Sequence, residues 1–174
     1  MEDFENEQIA RSSDPLAKWL AIALFLIAGG LIITSLSMKS YRIILQAGAL
    51  LLLTAAVFIA VKYVLRTFVY RTEKREGGDY DFIIVDVRGE RRVVSVRLSF
   101  ANQITGYTDD IDEIARVRKI REIHCYLYCT DMKPKEASLL FAHDGDEKIA
   151  VIFQPSPAMR DTVRNLVVGM HLEE

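Results

Sequence analysis

The sequence predicts a membrane α-helical hairpin followed by a cytoplasmic α+β domain, a small antiparallel β-barrel or sandwich capped by a C-terminal helix. Three observations lead to this fold class: two long apolar runs near the N-terminus, several short segments that alternate apolar and polar residues, and a final amphipathic stretch. Apolar runs of about 20 residues are typical of membrane-spanning helices, and alternation is typical of half-buried strands.

Charge divides the chain into two unlike parts. Hydrophobic residues make up 51% of the 174 residues, but residues 1–66 hold only 6 of the 22 lysines and arginines and 5 of the 24 acidic residues. The first part is too apolar for a soluble surface, and the rest is too charged to lie in lipid. The composition excludes a plain soluble domain, and the net charge of −2 argues against a protein that binds nucleic acid over its whole surface.

Two apolar runs, which start at Trp19 and Ile43, contain no ionisable side chain. At 1.5 Å per residue each run spans about 30 Å, the thickness of the hydrocarbon core of a bilayer. We therefore predict transmembrane helices over residues 18–38 and 43–65. The link between them, residues 39–42, is short enough that the two helices must run antiparallel.

Positive residues predict the side of the membrane on which each end lies. Seven lysines and arginines flank the two runs, and the link carries two, Lys39 and Arg42. The flanking residues are Arg11, Lys18, Lys62, Arg66, Arg71, Lys74 and Arg75. Because cytoplasmic flanks carry the excess of positive charge, both termini of this cell-membrane protein, including a tail over residues 1–17, are expected in the cytoplasm. A cleaved signal peptide ending near Ser37 is the alternative, which the acidic N-terminal residues and the second run disfavour.

Alternating segments predict the strands of a cytoplasmic domain over residues 79–171, which a basic connector over residues 66–78 joins to the membrane. Residues 80–87 and 93–98 are expected to pair as a β-hairpin around Gly89. One face of the second strand is predicted to carry Val94, Val96 and Leu98.

Further strands are predicted toward the C-terminus. Residues 122–130 alternate again, and residues 137–141 and 148–153 flank Asp144-Gly145-Asp146, a turn typical of β-hairpins. The domain is therefore expected to contain five to seven antiparallel strands.

Two helices are considered in this domain. Thr108 or Asp109 could cap a helix that runs to Arg121, although the segment 99–121 could equally be a loop or strand. A C-terminal helix is predicted with Ser156 as its N-cap and Pro157 at its first position. Its apolar face is expected to consist of Met159, Val163, Leu166, Val167 and Met170.

Two segments of this domain resemble a known family. Residues 94–104 (VSVRLSFANQI) and residues 148–157 (KIAVIFQPSP) are similar to a strand junction and to the last strand and helix start of the bacterial pleckstrin-homology-like (PH-like) domains. Such domains are often fused to a two-helix membrane hairpin, as in the small YcxB-like membrane proteins. The resemblance implies a membrane-tethered module for protein interaction or lipid contact, without catalytic residues.

Basic residues beside the membrane and around the first hairpin turn are the predicted lipid contacts. They are Lys62, Arg66, Arg71, Lys74, Arg75, Arg88, Arg91 and Arg92. Each lysine or arginine near an anionic membrane surface stabilises binding by about 1 kcal/mol. A solvated surface is the competing interpretation for the residues of the hairpin turn, because acidic residues stand close by.

Other residues could carry chemistry, but their patterns favour structural roles. Asp109, Asp110, Asp112 and Glu113 could bind a divalent cation through oxygen ligands, or they could complement the dipole of a helix N-terminus. Cys125 and Cys129 would lie about 13 Å apart along one strand, too far for a disulfide. No catalytic residue, metal site or cofactor is predicted from the sequence.

The sequence therefore predicts a non-enzymatic, two-pass membrane protein whose cytoplasmic PH-like domain binds another protein or a second copy of itself. Its expected partners are the lipid bilayer and a protein, with no nucleic acid and no small-molecule substrate. Two alternatives stay open: a regulatory module that responds to anionic lipid, and a divalent-metal-dependent enzyme that uses the acidic cluster at residues 109–113.

Overall fold

The computed structural model describes residues 5–11, 15–131, 134 and 136–170. The chain forms two compact units. The helical unit is Ser12–Arg66, and the sheet unit combines Met1–Arg11 with Thr67–Glu174. The helical unit is therefore an insertion within the sequence of the sheet unit.

The helical unit contains the two long apolar helices that the sequence predicts. Helix α1 spans Pro15–Ser37, a 3₁₀ turn covers Lys39–Tyr41, and α2 spans Arg42–Ile59 and continues as a π-helical turn over Ala60–Val64. The buried side chains of this unit are small, so the two helix backbones approach closely. These side chains are Ala17, Ala21, Ala28 and Ser35 in α1 and Ala49 and Ala56 in α2.

The first sheet of the other unit has four antiparallel strands in the order β1-β2-β3-β4. They are β1 (Asn6–Arg11), β2 (Thr67–Lys74), β3 (Tyr80–Arg88) and β4 (Arg91–Ser99). The predicted hairpin of β3 and β4 is confirmed, and Gly89 adopts the left-handed φ of +61° that its tight turn requires.

Two segments of the first sheet differ from expectation. The N-terminal tail contains β1, and the basic connector is largely β2, which pairs with β1 on one side and β3 on the other. The reason lies in β2, where Phe68, Tyr70 and Thr72 alternate inward and are buried despite the basic residues beside them. A connector with this alternation gains more from joining the sheet than from remaining in solvent.

A register shift between Ile84 and Val85 also changes one predicted face of β4. The shift places Val94 opposite Val85, whereas Val96 and Leu98 pack toward the core. Strict alternation had predicted all three on one face, and the bulge inserts one residue that breaks the alternation.

The second sheet has the order β5-β7-β8-β6. Its strands are β5 (Ile104–Thr108), β6 (His124–Tyr128), β7 (Ser138–Asp144) and β8 (Glu147–Phe153). The predicted hairpin around Gly145 is confirmed as β7 and β8, but β6 pairs with β8 in parallel. β5 and β8 lie on the two sides of β7, and β6 adds to the other side of β8. The described residues form eight strands in two sheets. Six of them, β3–β8, lie within residues 79–171, so the predicted number of five to seven is met there. The prediction that all of them are antiparallel is wrong for β6, and the two sheets do not close into a barrel.

Two helices pack on the second sheet. Helix α3 (Ile111–Val117) begins after Asp110, whose carboxylate accepts a hydrogen bond from the Asp112 backbone, so it starts later and ends earlier than the helix considered from the sequence. Helix α4 (Pro157–Met170) is the predicted C-terminal helix, and Ser156 Oγ accepts a hydrogen bond from the Met159 backbone. The side chain of Met170 lies outside the described residues.

The main core lies between the two sheets and α4. Its largest members are fully buried: Phe68, Tyr70, Phe82, Phe153 and Met159. A smaller core, which includes Ile114, Val117 and Leu139, lies between α3 and the opposite face of the second sheet. Each fully buried large side chain contributes about 1.5–3 kcal/mol, so the second sheet is held from both faces.

Candidate membrane anchor and interaction surfaces

The helical unit exposes most of its large apolar side chains. Two candidate spans, Pro15–Ser37 and Arg42–Val64, contain 23 residues each and have mean hydropathies of 2.3 and 2.4. Only 17% and 11% of their most apolar windows are buried, so these are not the covered core helices of an ordinary soluble domain. By length and composition both helices are able to cross a bilayer.

Three hydroxyl side chains within these helices donate hydrogen bonds to the backbone of their own helix. Thr34 Oγ1 donates to the Gly30 carbonyl at 2.8 Å, and Thr54 Oγ1 donates to the Leu50 carbonyl at 2.9 Å. Ser35 Oγ donates to the Ile32 carbonyl at 2.6 Å. Such bonds remove the cost of placing a hydroxyl group in hydrocarbon.

The register of the first sheet divides the predicted lipid contacts into two groups. Arg11, Thr67, Val87 and Arg92 lie side by side across the four strands. Since Arg11 and Thr67 border the helical unit in sequence, we call this the helix-connected end of the sheet. It also carries Arg88 and Arg91 in the β3–β4 turn, while Lys62 and Arg66 precede it in the helical unit.

The remaining predicted lipid contacts lie farther along β2. Lys74 pairs with Tyr80 at the opposite end of the sheet, about 23 Å from Thr67 along the strand. Arg71 Nη2 lies 2.7 Å from a carboxylate oxygen of Glu73. Position in the sequence alone therefore grouped residues that the sheet separates.

A buried carboxylate holds two arginines at the far end of the first sheet. Asp81 is 1% exposed, and its Oδ2 lies 2.9 Å from Arg97 Nε and 3.3 Å from Arg75 Nε. Arg97 also reaches Glu73 at 3.3 Å. Removing either arginine leaves part of a buried charge without its partner, so Arg75 has a structural role whether or not it meets lipid.

A glutamine from the N-terminal strand fastens β1 to the start of α4. Gln8 Nε2 donates to the Gln154 carbonyl at 3.2 Å, and Gln8 Oε1 accepts from the Ser156 backbone at 2.6 Å. The Gln154 side chain in turn donates to Asp131 at 2.8 Å. No pattern in the sequence indicates this contact, because residues 6–11 are mostly polar and the partners are about 150 positions away.

One side of the sheet unit is open. Within the described residues, the edge strands are β1 and β4 of the first sheet and β5 and β6 of the second, and it is β4 and β6 that border this side. A cleft of about 230 Å³ lies between them and is lined by Arg97, Leu98, Tyr126, Tyr128, Asp144 and Ile149 among others. Val93, Val94, Tyr126 and Leu127 are exposed along these edges. Exposed edge strands with apolar side chains are templates for pairing with another chain.

The acidic cluster is engaged in local contacts. Asp110 caps α3, and Glu113 accepts a hydrogen bond from Thr108 Oγ1 at 2.6 Å. Asp109 contacts Arg164 of α4. These contacts favour the interpretation as a helix N-terminus, and no three carboxylate, histidine or cysteine side chains converge as a metal site among the described residues.

The two cysteines are free and differ in accessibility. Cys125 is exposed, and Cys129 is buried against the smaller core. Burial raises the pKa of the Cys129 thiol to about 12, so this side chain stays protonated and unreactive at neutral pH. Burial also raises the pKa of Cys125, to a lesser degree. The sequence analysis predicted no disulfide between them, and both thiols are free in the structure.

The architecture shares some features with the PH-like resemblance. A C-terminal helix follows the last strand, as expected, and packs on a core between two sheets. The chain also has a parallel strand, β6, and an open side between β4 and β6, whereas an antiparallel barrel or sandwich was predicted. Membership of that family therefore stays a prediction. Comparison of the chain with models of known protein families, with curated proteins and with solved structures found no match.

Proposed function

We propose that this chain is a non-enzymatic, two-pass protein of the cell membrane with both termini in the cytoplasm. Its sheet unit is an interaction domain that binds another protein or a second copy of the chain at the membrane surface. The observation that carries the proposal is the open side of the domain, where two edge strands with exposed apolar side chains flank a cleft.

The pairing of β1 with β2 supports the two-pass topology. β1 precedes the helical unit and β2 follows it, yet the two strands pair over six residues. Strands on opposite sides of a bilayer cannot pair, so a chain with this sheet must cross the membrane an even number of times. The excess of lysine and arginine in the flanks of the helices supports the cytoplasmic side.

The geometry of the open side suits partner binding by strand addition. An extended segment placed beside β4 or β6 would meet unpaired backbone groups, and its side chains would enter the cleft beside Leu98 and Tyr128. The mixture of Arg97 and Asp144 with these apolar residues provides polar contacts that select the partner. The sequence resemblance to PH-like modules supports the same class of function.

Cysteine labelling in intact cells tests the topology. A membrane-impermeant maleimide should label Cys125 only after the membrane is opened, whereas Ser40→Cys in the link should react at once in a Cys125→Ser background. Cys129 should stay unlabelled until the protein is denatured, because it is buried. Labelling of Cys125 in intact cells would contradict the cytoplasmic placement, and recovery of the full chain in the soluble fraction would contradict the membrane anchor.

Photo-crosslinking tests the interaction surface. Benzoylphenylalanine at Val93 or Tyr126 should give a discrete adduct in native membranes, because both positions border the open side. The same probe at Asp161, which is exposed on α4, is the matched control and should give none. An adduct of twice the 19.8 kDa mass indicates a second copy, and a different defined mass indicates another protein. Equal, diffuse crosslinking at all three positions would count against the proposal.

A further inference from the structure

The outer face of the first sheet carries an ordered set of side chains at its helix-connected end. Residues that pair directly across antiparallel strands point to the same face. The first cross-strand row therefore places Arg11 and Arg92 at the two edges of the sheet. The second row contains only apolar residues, and its members are Ile9, Val69, Val85 and Val94.

The bulge in β4 completes this apolar row. Without the register shift, Val94 would share the inner face with Val96; with it, Val94 lies opposite Val85 on the outer face. Ile9 and Val94, at the two edges, are each 57% exposed. We name Ile9, Arg11, Val69, Arg92 and Val94 the arginine–valine patch.

Charge distinguishes this end of the sheet from the rest of the outer face. Beyond the apolar row, the next rows hold basic and acidic residues together, with Arg71 and Arg97 both paired to Glu73. At the helix-connected end, the turn and the first row carry an excess of positive charge. The basic residues there are Arg11, Arg88, Arg91 and Arg92, and the acidic residues are Asp86 and Glu90, of which Asp86 pairs with Arg88.

We infer that the arginine–valine patch is a docking surface for a bilayer that contains anionic phospholipid. Within the apolar row Val85 is buried and Val69 is half-buried, so the exposed apolar surface consists of Ile9 and Val94 at the two edges, next to Arg11 and Arg92. Exposed apolar side chains beside arginines are the combination that enters a membrane interface, where apolar side chains reach the acyl boundary and cations meet phosphate groups. The patch lies at the end of the sheet where the chain leaves for the helical unit after Arg11 and returns at Thr67. In an anchored chain this end is therefore tied to the membrane through only a few residues. The inference rests on the proposed membrane anchor, and it assigns lipid contact to Arg11 and Ile9, which the sequence did not suggest.

The test uses the full chain in lipid nanodiscs made of phosphatidylcholine alone or of a mixture rich in phosphatidylglycerol. Val94→Cys, in a Cys125→Ser and Cys129→Ala background, carries an environment-sensitive fluorophore, and a nitroxide attached to lipid headgroups serves as the quencher. The matched label is Glu76→Cys, exposed at the opposite end of the sheet. We expect strong quenching at position 94 in phosphatidylglycerol discs, little at position 76, and loss of the effect at about 0.5 M salt, where charges are screened within a few ångströms.

Two pairs of charge substitutions isolate the patch. Arg11→Gln with Arg92→Gln should lower the ratio of docked to undocked domain about 30-fold, the loss expected for two arginines near an anionic surface. Lys119→Gln with Lys148→Gln removes the same charge at exposed positions outside the predicted lipid contacts and should leave the ratio nearly unchanged.

The possible outcomes distinguish failure of the lipid-docking inference from failure of the proposed membrane anchor. If the chain does not enter nanodiscs, the result contradicts both the proposed membrane anchor and the inference. A chain that enters them while position 94 stays unquenched in both lipids overturns the inference alone. Quenching that is the same with and without phosphatidylglycerol and is unchanged by the arginine substitutions also overturns the inference. Quenching that depends on the number of chains per disc overturns it in favour of contact with a second copy.

Discussion

Excising the helical unit while keeping β1 should yield a soluble, folded domain, whereas excising β1 as well should not. Residues 5–11 can be joined to residues 67–170 by Asn-Gly, because Arg11 and Thr67 are direct partners in the sheet. A two-residue turn of this type closes an antiparallel pair without strain. The comparison chain consists of residues 67–170 alone.

The expected difference follows from what β1 contributes. It covers one edge of β2 over six residues, buries Ala10 in the main core, and fastens α4 through Gln8. The two Gln8 bonds alone contribute about 2 kcal/mol, at about 1 kcal/mol for each net hydrogen bond. We therefore expect the joined chain to be more stable than the comparison chain by more than this amount.

Urea unfolding followed by circular dichroism measures the difference. Within the joined chain, Gln8→Ala should lower the free energy of unfolding by about 2 kcal/mol. Glu7→Ala, one position away and exposed, is the control and should change it by less than about 0.5 kcal/mol. Equal stability of the joined chain and residues 67–170 would show that β1 is dispensable.

The largest single-residue effect is expected for Phe153→Ala. The Phe153 ring is fully buried, with its centroid 4.9 Å from that of Phe82 and 5.5 Å from that of Tyr70. Truncating such a residue removes its transfer free energy and leaves a cavity, at a cost of about 3–5 kcal/mol. Since small domains are stable by only about 5–15 kcal/mol, this substitution should remove a large part of the total.

Denaturant unfolding of the joined chain provides the measurement for Phe153→Ala as well. Val168→Ala is a suitable control, because Val168 is an exposed apolar residue of α4 and its truncation should cost less than about 0.5 kcal/mol. A loss below about 1 kcal/mol for Phe153→Ala would mean that the two sheets do not pack as described.

Local signals in the sequence predicted those elements whose partners are close along the chain. The hairpins around Gly89 and Gly145 follow from turn chemistry between alternating segments, and α4 follows from Ser156, Pro157 and an apolar face. The apolar helices were predictable because length and composition alone identify them. In each case the deciding residues lie within one element or one turn.

Elements that depend on distant partners were missed. The pairing of Asn6 with Thr72 spans 66 positions, and only Ile9 and Ala10 give the N-terminal strand any apolar character. β6 pairs in parallel with β8, and β7 lies between the two along the chain, so its place and direction depend on the topology of the whole sheet. A single bulge residue reversed the predicted face of Val94, since any insertion shifts alternation by one.

The candidate site shows the same limit. Distance along the chain from the apolar runs points to the eight basic residues as lipid contacts, but each strand position lies about 3.3 Å farther along the sheet. Arg88 and Arg92 lie at the helix-connected end although more than 20 positions separate them from the helical unit. Arg11 was considered only for topology, because its place in the sheet depends on the unrecognised β1.

The position of β1 before the helices has a consequence for biogenesis. The ribosome releases β1 first, but β2 becomes available only after both apolar helices have left the tunnel and, under the proposed topology, entered the lipid. If only one helix inserted, β1 and β2 would lie on opposite sides of the membrane and could not pair. The edge of β2 would then stay unpaired and accessible to proteases. The first sheet can therefore be completed only after both helices have inserted, so a folded sheet indicates that insertion succeeded.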